Sequence, residues 1–270
     1  MTSTDKDLVE LFVSPLRECA GYQPHFGNNS KKEGFSLSDF LELYNSDPFY
    51  SWIGLDSPYL YSAHKAAGSM TSLYRQIGIG CERLFRQIIF EQAQYDDYSS
   101  AQWSYEATTK SGKRKILSLD ARLEIADIRN AALKKRTIEW VKNYQEYLDI
   151  DVRELKGVVF EVRQGYKSKD SKRQNADLDN ATVAYSKSYL PVFTVFSSQI
   201  DTDIALRYHN GKCGILVGNI EGNSLTSLFQ FCKIVLDFDL AKFFERNSAL
   251  IKEVIHSVLK DLFDVNETAK

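Results

Sequence analysis

The amino-acid sequence predicts an α/β fold, in which a mixed central β-sheet is flanked by helices and extended by helices at both ends. One observation is an alternating stretch over residues 147–163, which is typical of a β-hairpin. The other is a pair of short apolar runs rich in β-formers, Pro191 to Ser197 and Gly214 to Gly218, which are typical of buried strands. Helical patterns separate these strands, and helical crossovers between strands of one sheet cover both of its faces.

The first part of the chain is predicted to be helical. Residues 1–70 form an N-terminal accessory region with turn signals and short helical segments. From Leu73 to Ile89 apolar residues recur at helical spacing, which predicts a helix over residues 72–93 with Glu82 at the edge of its apolar stripe.

The next segment leads to the predicted hairpin. Residues 95–115 are polar and are predicted to form a loop. Ser118 or Asp120 can cap a helix that continues to about Tyr147.

After the hairpin, the pattern returns to helices alternating with strands. Helices are predicted from Ser168 or Asp170 to Tyr189 and from Asp201 to Tyr208, and residues 219–270 are predicted to be C-terminal helices. We see no linker that would split the chain. We therefore expect one domain, residues 1–270, with its catalytic core at 72–218.

Composition excludes several classes of protein. The chain has 270 residues, 34 Lys and Arg against 36 Asp and Glu, and 43% hydrophobic residues, which excludes a disordered or low-complexity protein. No apolar run is long enough to cross a bilayer, and the N-terminus has no secretory signal pattern. We expect a cytoplasmic protein without a membrane partner. Its cysteines and histidines lack metal-binding spacings, so any metal is expected to use oxygen ligands.

The predicted hairpin brings acids together. With a loop at residues 155–157, Glu154 faces Val158, and the same register pairs Asp151 with Glu161 and Asp149 with Arg163. Opposite residues lie about 5 Å apart, so two carboxylates repel each other unless a cation lies between them. Oxygen ligands on adjacent strands suit Mg²⁺.

Two cations follow the second acid on the same predicted face. Arg163, or Lys167 further along, can stabilise negative charge that develops on a phosphate. Which of the two does so is left open by the sequence.

Basic and amide side chains predict a nucleic-acid contact directly after this strand. Helix N-termini bind phosphate, and Arg, Gln and Asn suit the edges of bases. A second basic cluster lies in the predicted loop near residue 113. The candidate DNA-binding residues are Lys169, Lys172, Arg173, Gln174 and Asn175 after the strand, and Lys113, Arg114 and Lys115 in the loop.

The segments Glu161 to Asp177 and Pro191 to Asp201 resemble type II restriction endonucleases of the PD-(D/E)XK superfamily, and among them the ApaLI-like family. The close resemblance covers about residues 145–218, and it implies a restriction-endonuclease-like core. It also implies that Asp151, or Asp149 as its competitor, is the first acid and Glu161 the second. Glu82 is placed like the accessory acid of such enzymes.

The chain departs from the pattern of that superfamily at two points. Arg163 stands where a lysine is usual, and Ile150 stands where a proline usually precedes the first acid. Arginine does not readily give up a proton, so a general-base role for Arg163 is in doubt.

The resemblance implies a Mg²⁺-dependent endonuclease that cleaves double-stranded DNA at a short, palindromic site and acts as a homodimer. The alternative is a DNA-binding module without catalysis, in which the acids only position the basic helix. A third interpretation, a helical interaction scaffold, explains the C-terminal apolar stripe but not the basic helix.

Overall fold

A computed structural model describes residues 3–19, 21–26, 34–108, 114–150, 154–165 and 171–263 of the chain. Within these ranges no helix is both long enough and apolar enough to cross a membrane. The helices there are α1 (Asp5–Arg17), α2 (Leu37–Asn45), α3 (Pro48–Trp52), α4 (Pro58–Ala93), α5 (Ala131–Leu148), α6 (Ser171–Ser186), α7 (Thr202–Asn210), α8 (Leu228–Ile234), α9 (Leu240–Arg246) and α10 (Ser248–Phe263). The strands are β1 (Trp103–Thr108), β2 (Arg114–Leu119), β3 (Ala121–Glu124), β4 (Gly157–Arg163), β5 (Tyr189–Val195) and β6 (Gly214–Val217).

The chain divides into two compact units. One unit consists of Met1–Val9 and Cys81–Asn247 and contains all six strands. The other consists of Glu10–Gly80 and Ser248–Lys270. The predicted boundaries near residues 71 and 218 mark a different division, based on sequence pattern alone, and stay predictions.

The strands of the first unit form two sheets. Strands β1 and β2 pair as an antiparallel hairpin. The larger sheet has the order β3-β4-β5-β6, in which β3 is antiparallel to β4 and the other pairs are parallel. Helices α6 and α7 make the two crossovers that parallel neighbours require. The predicted α/β class, with a mixed sheet flanked by helices, is therefore confirmed.

Aromatic side chains pack helices against both faces of this sheet. Phe160 of β4 contacts Phe85 of α4 edge-on, with 5.1 Å between ring centroids. Phe193 of β5 stacks on Tyr208 of α7 at 4.2 Å and belongs to a cluster that includes Ala181 of α6. Because Phe160 and Phe193 occupy alternating positions of paired strands, the two contacts lie on opposite faces.

The second unit has its own packed clusters. Phe26, Phe35, Phe40 and Tyr61 form an aromatic cluster around α2. A second cluster packs the C-terminal apolar stripe of α10 onto α1 and α4, through Leu16, Cys19, Leu73, Val258 and Leu262. Helix α10 lies within residues 219–270, for which helices are predicted.

The hairpin predicted at residues 147–163 is wrong. Tyr147 and Leu148 belong to the last turn of α5, because the buried helical stripe of that helix continues from Tyr144 to Leu148, and residues 151–153 lie outside the described residues. The second half of the predicted hairpin, β4, pairs with β3 on one side and with β5 on the other. The predicted loop over 95–115 is also wrong where β1 and the start of β2 lie, and no helix begins at Ser118 or Asp120.

Candidate active site

The pairing of β3 with β4 brings Asp120 beside Glu161. Asp120 directly precedes β3, in which Ala121 faces Phe160, so extending the register by one residue places Asp120 opposite Glu161. The backbone N–H of Asp120 donates to the Phe160 carbonyl at 2.9 Å. The N–H of Val162 in turn donates to Oδ2 of Asp120 at 2.7 Å. Asp120 is thus the acid that the pairing of β3 with β4 places across from Glu161.

Both carboxylates are buried, and the charge of a neighbouring acid disfavours the ionisation of each one. Burial, and secondly the charge of Glu82, raise the pKa of Asp120 to about 6. Burial, and secondly the charge of Asp120, raise the pKa of Glu161 to about 8. Both shifts have the same origin, since poorly solvated like charges disfavour ionisation. The pair therefore favours a proton or a cation between its oxygens.

Helix α4 holds a third acid next to this pair. Glu82 forms an ion pair with Arg86, one helical turn later. Nε of Arg86 also donates to the carbonyl oxygen of Asp120 at 2.5 Å, which ties α4 to the turn that precedes β3. Glu82 is close enough for its charge to raise the pKa values of both Asp120 and Glu161. Its predicted accessory role stays a prediction.

Arg163 lies two residues beyond Glu161 and is buried, with 9% of its surface exposed. Its Nη2 lies 2.9 Å from Oε1 of Glu161 and 2.7 Å from Oδ1 of Asp177 on α6. The hydroxyl of Tyr208 donates to the other oxygen of Asp177 at 2.6 Å. The guanidinium is thus a fixed positive charge beside the acid pair.

Three of the nearby acids, Glu82, Asp177 and Glu161, have cationic partners. In the described part of the chain, no group of three or more His, Cys, Asp or Glu side chains could hold a metal ion. Glu82 is paired with Arg86, and the two oxygens of Asp177 bind Arg163 and Tyr208. Glu161 contacts Arg163 through Oε1 and lies opposite Asp120, so Asp120 and Glu161 are the acids between which a cation would bind. Mg²⁺ is commonly held by one or two carboxylates, with waters and phosphate oxygens filling the other positions. These two residues fit that pattern.

The position of Asp149 contradicts its predicted role as a ligand opposite Arg163. Asp149 ends α5 in the left-handed conformation, at φ 51° and ψ 58°. Its side chain is fully exposed and lies 3.5 Å from the amino group of Lys212. Arg163 faces Val195 in the strand pairing instead.

The first turn of α6 carries both exposed and buried members of the predicted DNA-binding set. Lys172, Arg173 and Asn175 are exposed. Gln174 is 5% exposed, and its Oε1 accepts a hydrogen bond from Arg207 of α7 at 2.6 Å. Arg207 also donates to Oδ1 of Asn175 at 2.5 Å. We therefore assign Gln174 to the contact between the two helices rather than to base recognition.

The remaining predicted residues lie elsewhere. Arg114 is exposed on β2, 3.9 Å from Glu106, and the backbone of Lys115 belongs to the same strand. The other predicted residues lie outside the described residues: Asp151, Lys167, Lys113 and Lys169.

The raised pKa of Glu161 predicts a pH-dependent loss of stability in metal-free buffer. Between its ordinary value of 4.5 and about 8, the native state keeps a proton that the unfolded state releases, so stability falls as pH rises. We expect the free energy of unfolding of Glu161→Gln, relative to wild type, to rise by about 1–3 kcal/mol from pH 4.5 to 8. Urea denaturation at several pH values measures this difference.

Asp179→Asn supplies the control for this measurement, because Asp179 is exposed on α6. Its stability should follow the wild-type pH curve. Parallel curves for wild type and Glu161→Gln would contradict the assignment of Glu161 as a buried, proton-binding acid.

The site is assembled from parts of the chain that are far apart in sequence. Glu82 and Arg86 come from α4, Asp120 from the turn before β3, and Glu161 with Arg163 from β4.

Comparison of the chain with models of known families, with curated proteins and with solved structures gives no match.

Proposed function

We propose that this protein is a Mg²⁺-dependent endonuclease that hydrolyses phosphodiester bonds of double-stranded DNA at a short specific site. The observation that carries the proposal is the buried pair of carboxylates, Asp120 and Glu161, beside the guanidinium of Arg163. Two poorly solvated carboxylates repel each other, which lowers the stability of the folded protein. A divalent cation bound between them offsets this repulsion. Such costly arrangements cluster at functional sites.

Asp120 and Glu161 are the residues that would hold Mg²⁺. Bound there, the ion would activate water and neutralise charge on the scissile phosphate. Asp120 is oriented for this role by the N–H of Val162, which occupies one side of its carboxylate. Because its pKa is raised to about 8, Glu161 holds a proton near neutral pH, and it would release that proton if a cation bound its oxygens.

Arg163 would stabilise the negative charge that develops on the phosphate. Its guanidinium stays protonated at any relevant pH, so it acts as a charge and hydrogen-bond donor and not as a general base. Lys167, the other candidate for this position, lies outside the described residues. The contact of Arg163 with Glu161 supports the role for Arg163.

The exposed cations at the start of α6 support DNA as the substrate. Lys172 and Arg173 precede Asp177 by about one helical turn, and Asp177 contacts Arg163. A duplex bound to this turn would therefore run close to the acid pair. The resemblance to type II restriction endonucleases extends the proposal to a homodimer that reads a palindrome.

Digestion of a panel of phage and plasmid DNAs tests the proposed function. With Mg²⁺ we expect discrete fragments, whose ends run-off sequencing assigns to one site, and with EDTA we expect none. Glu161→Gln should leave the same DNAs intact. Salt-sensitive binding without cleavage in any divalent metal would instead support a non-catalytic DNA-binding module.

A further inference from the structure

A chain of buried hydrogen bonds leads from α7 to the candidate active site. Tyr208 donates to Oδ2 of Asp177, whose Oδ1 accepts from Nη2 of Arg163. The same Nη2 also contacts Glu161. All three members are buried, with exposed fractions of 1% for Tyr208, 4% for Asp177 and 9% for Arg163.

Arg163 is shared between two acids with different surroundings. Glu161 faces Asp120, where a cation would be coordinated by the oxygens of Glu161. Asp177 instead contacts Arg163 of β4 and Tyr208 of α7. A cation that binds Glu161 reduces the negative charge available to Arg163 on that side. Asp177 is then the anion that keeps the guanidinium in place, through a short charge-assisted hydrogen bond.

Tyr208 helps to orient that anion. Its hydroxyl binds one carboxylate oxygen of Asp177, so the other oxygen is directed towards Arg163. Removing the hydroxyl leaves the charge of Asp177 unchanged but removes one of the contacts that orient its carboxylate. Replacing Asp177 by Asn removes the charge and keeps the shape. The two substitutions therefore separate charge from orientation.

We propose that Asp177 and Tyr208 are positioning residues, which hold the Arg163 guanidinium beside Glu161 in the orientation that meets the scissile phosphate. This inference rests on the proposed nuclease function. It adds a role for α7, which contributes no residue to the acid pair, and for Asp177, which is too occupied by Arg163 and Tyr208 to serve as a metal ligand.

The test compares Asp177→Asn and Tyr208→Phe with wild type in single-turnover cleavage at saturating DNA. We expect the rate with Mg²⁺ to fall about 100-fold for Asp177→Asn and about tenfold for Tyr208→Phe, because orientation of a charged group has effects of this size. The dissociation constant for DNA with Ca²⁺ should change less than about threefold. Tyr185→Phe is the matched control, since the hydroxyl of Tyr185 binds the Lys212 carbonyl instead.

A second readout does not depend on cleavage. The guanidinium ¹⁵N signals of Arg163, assigned with Arg163→Lys, should report an ordered side chain in wild type and in Tyr185→Phe. They should report faster reorientation in Tyr208→Phe and Asp177→Asn. This comparison uses the whole chain with and without Ca²⁺.

Three results would overturn the inference. One is an unchanged cleavage rate in both variants, and another is a rate that falls only in proportion to lost DNA binding or lost folded protein. The third is an Arg163 signal that stays as ordered in both variants as in wild type. If wild type cleaves no DNA with any divalent metal, the proposed function fails, and the ¹⁵N comparison still decides separately whether Asp177 and Tyr208 hold Arg163.

Discussion

We expect Asp120→Asn and Glu161→Gln each to lower the rate of Mg²⁺-dependent DNA cleavage by about 10³-fold or more. Each substitution keeps the shape of the side chain and removes one of the two charges that would hold the cation. Metal-assisted stabilisation of the transition state is worth several kcal/mol, and each 1.36 kcal/mol corresponds to about tenfold in rate. Single-turnover cleavage of a plasmid that carries the mapped site measures the effect.

Asp149→Asn is the matched control for these two variants. It removes a carboxylate that the sequence also predicted as a ligand but that the structure places, fully exposed, at the end of α5. Its cleavage rate should stay within about threefold of wild type. A larger loss in Asp149→Asn than in Asp120→Asn would refute the choice of Asp120 as the first acid.

We expect Gly157→Ala to lower the free energy of unfolding by about 3 kcal/mol or more. A Cβ atom at Gly157 would lie 2.1 Å from the carbonyl oxygen of Leu123, so β3 and β4 would have to move apart. These are the strands that place Asp120 beside Glu161, so the variant should also lose Mg²⁺-dependent cleavage in its remaining folded fraction. Urea denaturation followed by circular dichroism measures the stability.

Gly78→Ala controls for the change from glycine to alanine itself. Gly78 lies within α4, and a Cβ atom added there meets nothing within 4 Å. Because alanine is the better helix former, this variant should be more stable by about 0.5–1 kcal/mol. Equal effects of the two substitutions would contradict the close approach of β3 and β4.

Local patterns in the sequence were sufficient for many elements of the fold. The helix over residues 72–93 lies within α4, the short helix at 201–208 overlaps α7, and the apolar run at 191–197 overlaps the fully buried strand β5. Each of these depends on spacing within a single segment. A helix that is buried on one face, or a strand that is buried on both, requires apolar residues at regular positions within its own segment.

The predicted hairpin failed because the residues at its start, Tyr147 and Leu148, fit two periods. They begin an alternating stretch, as a strand would, yet Leu148 also continues the helical stripe of α5 through Val141 and Tyr144. Packing of that stripe against the sheet favours the helix. The observed pairing of β4 with β3 spans all of α5, and no local turn signal marks such a distant partner.

The same long-range pairing explains why the sequence gives Glu161 but not Asp120 as half of the acid pair. Glu161 lies in an alternating stretch that predicts a strand, whereas the pattern around Asp120 predicts a helix cap. The available signal is the alternation that follows it, in which Ala121 and Leu123 are buried and Arg122 is less so. Asp177 and Tyr208 carry no local signal, because their role depends on the contact between α6 and α7.

Calorimetric titration with Ca²⁺ at pH 7.5 tests most directly whether Asp120 and Glu161 together bind one divalent ion. We expect wild type to bind one ion and release protons, since Glu161 is largely protonated without it. Asp120→Asn and Glu161→Gln should each weaken binding at least about tenfold, while Asp151→Asn retains it. Binding that survives in Asp120→Asn and disappears in Asp151→Asn would contradict the site described above.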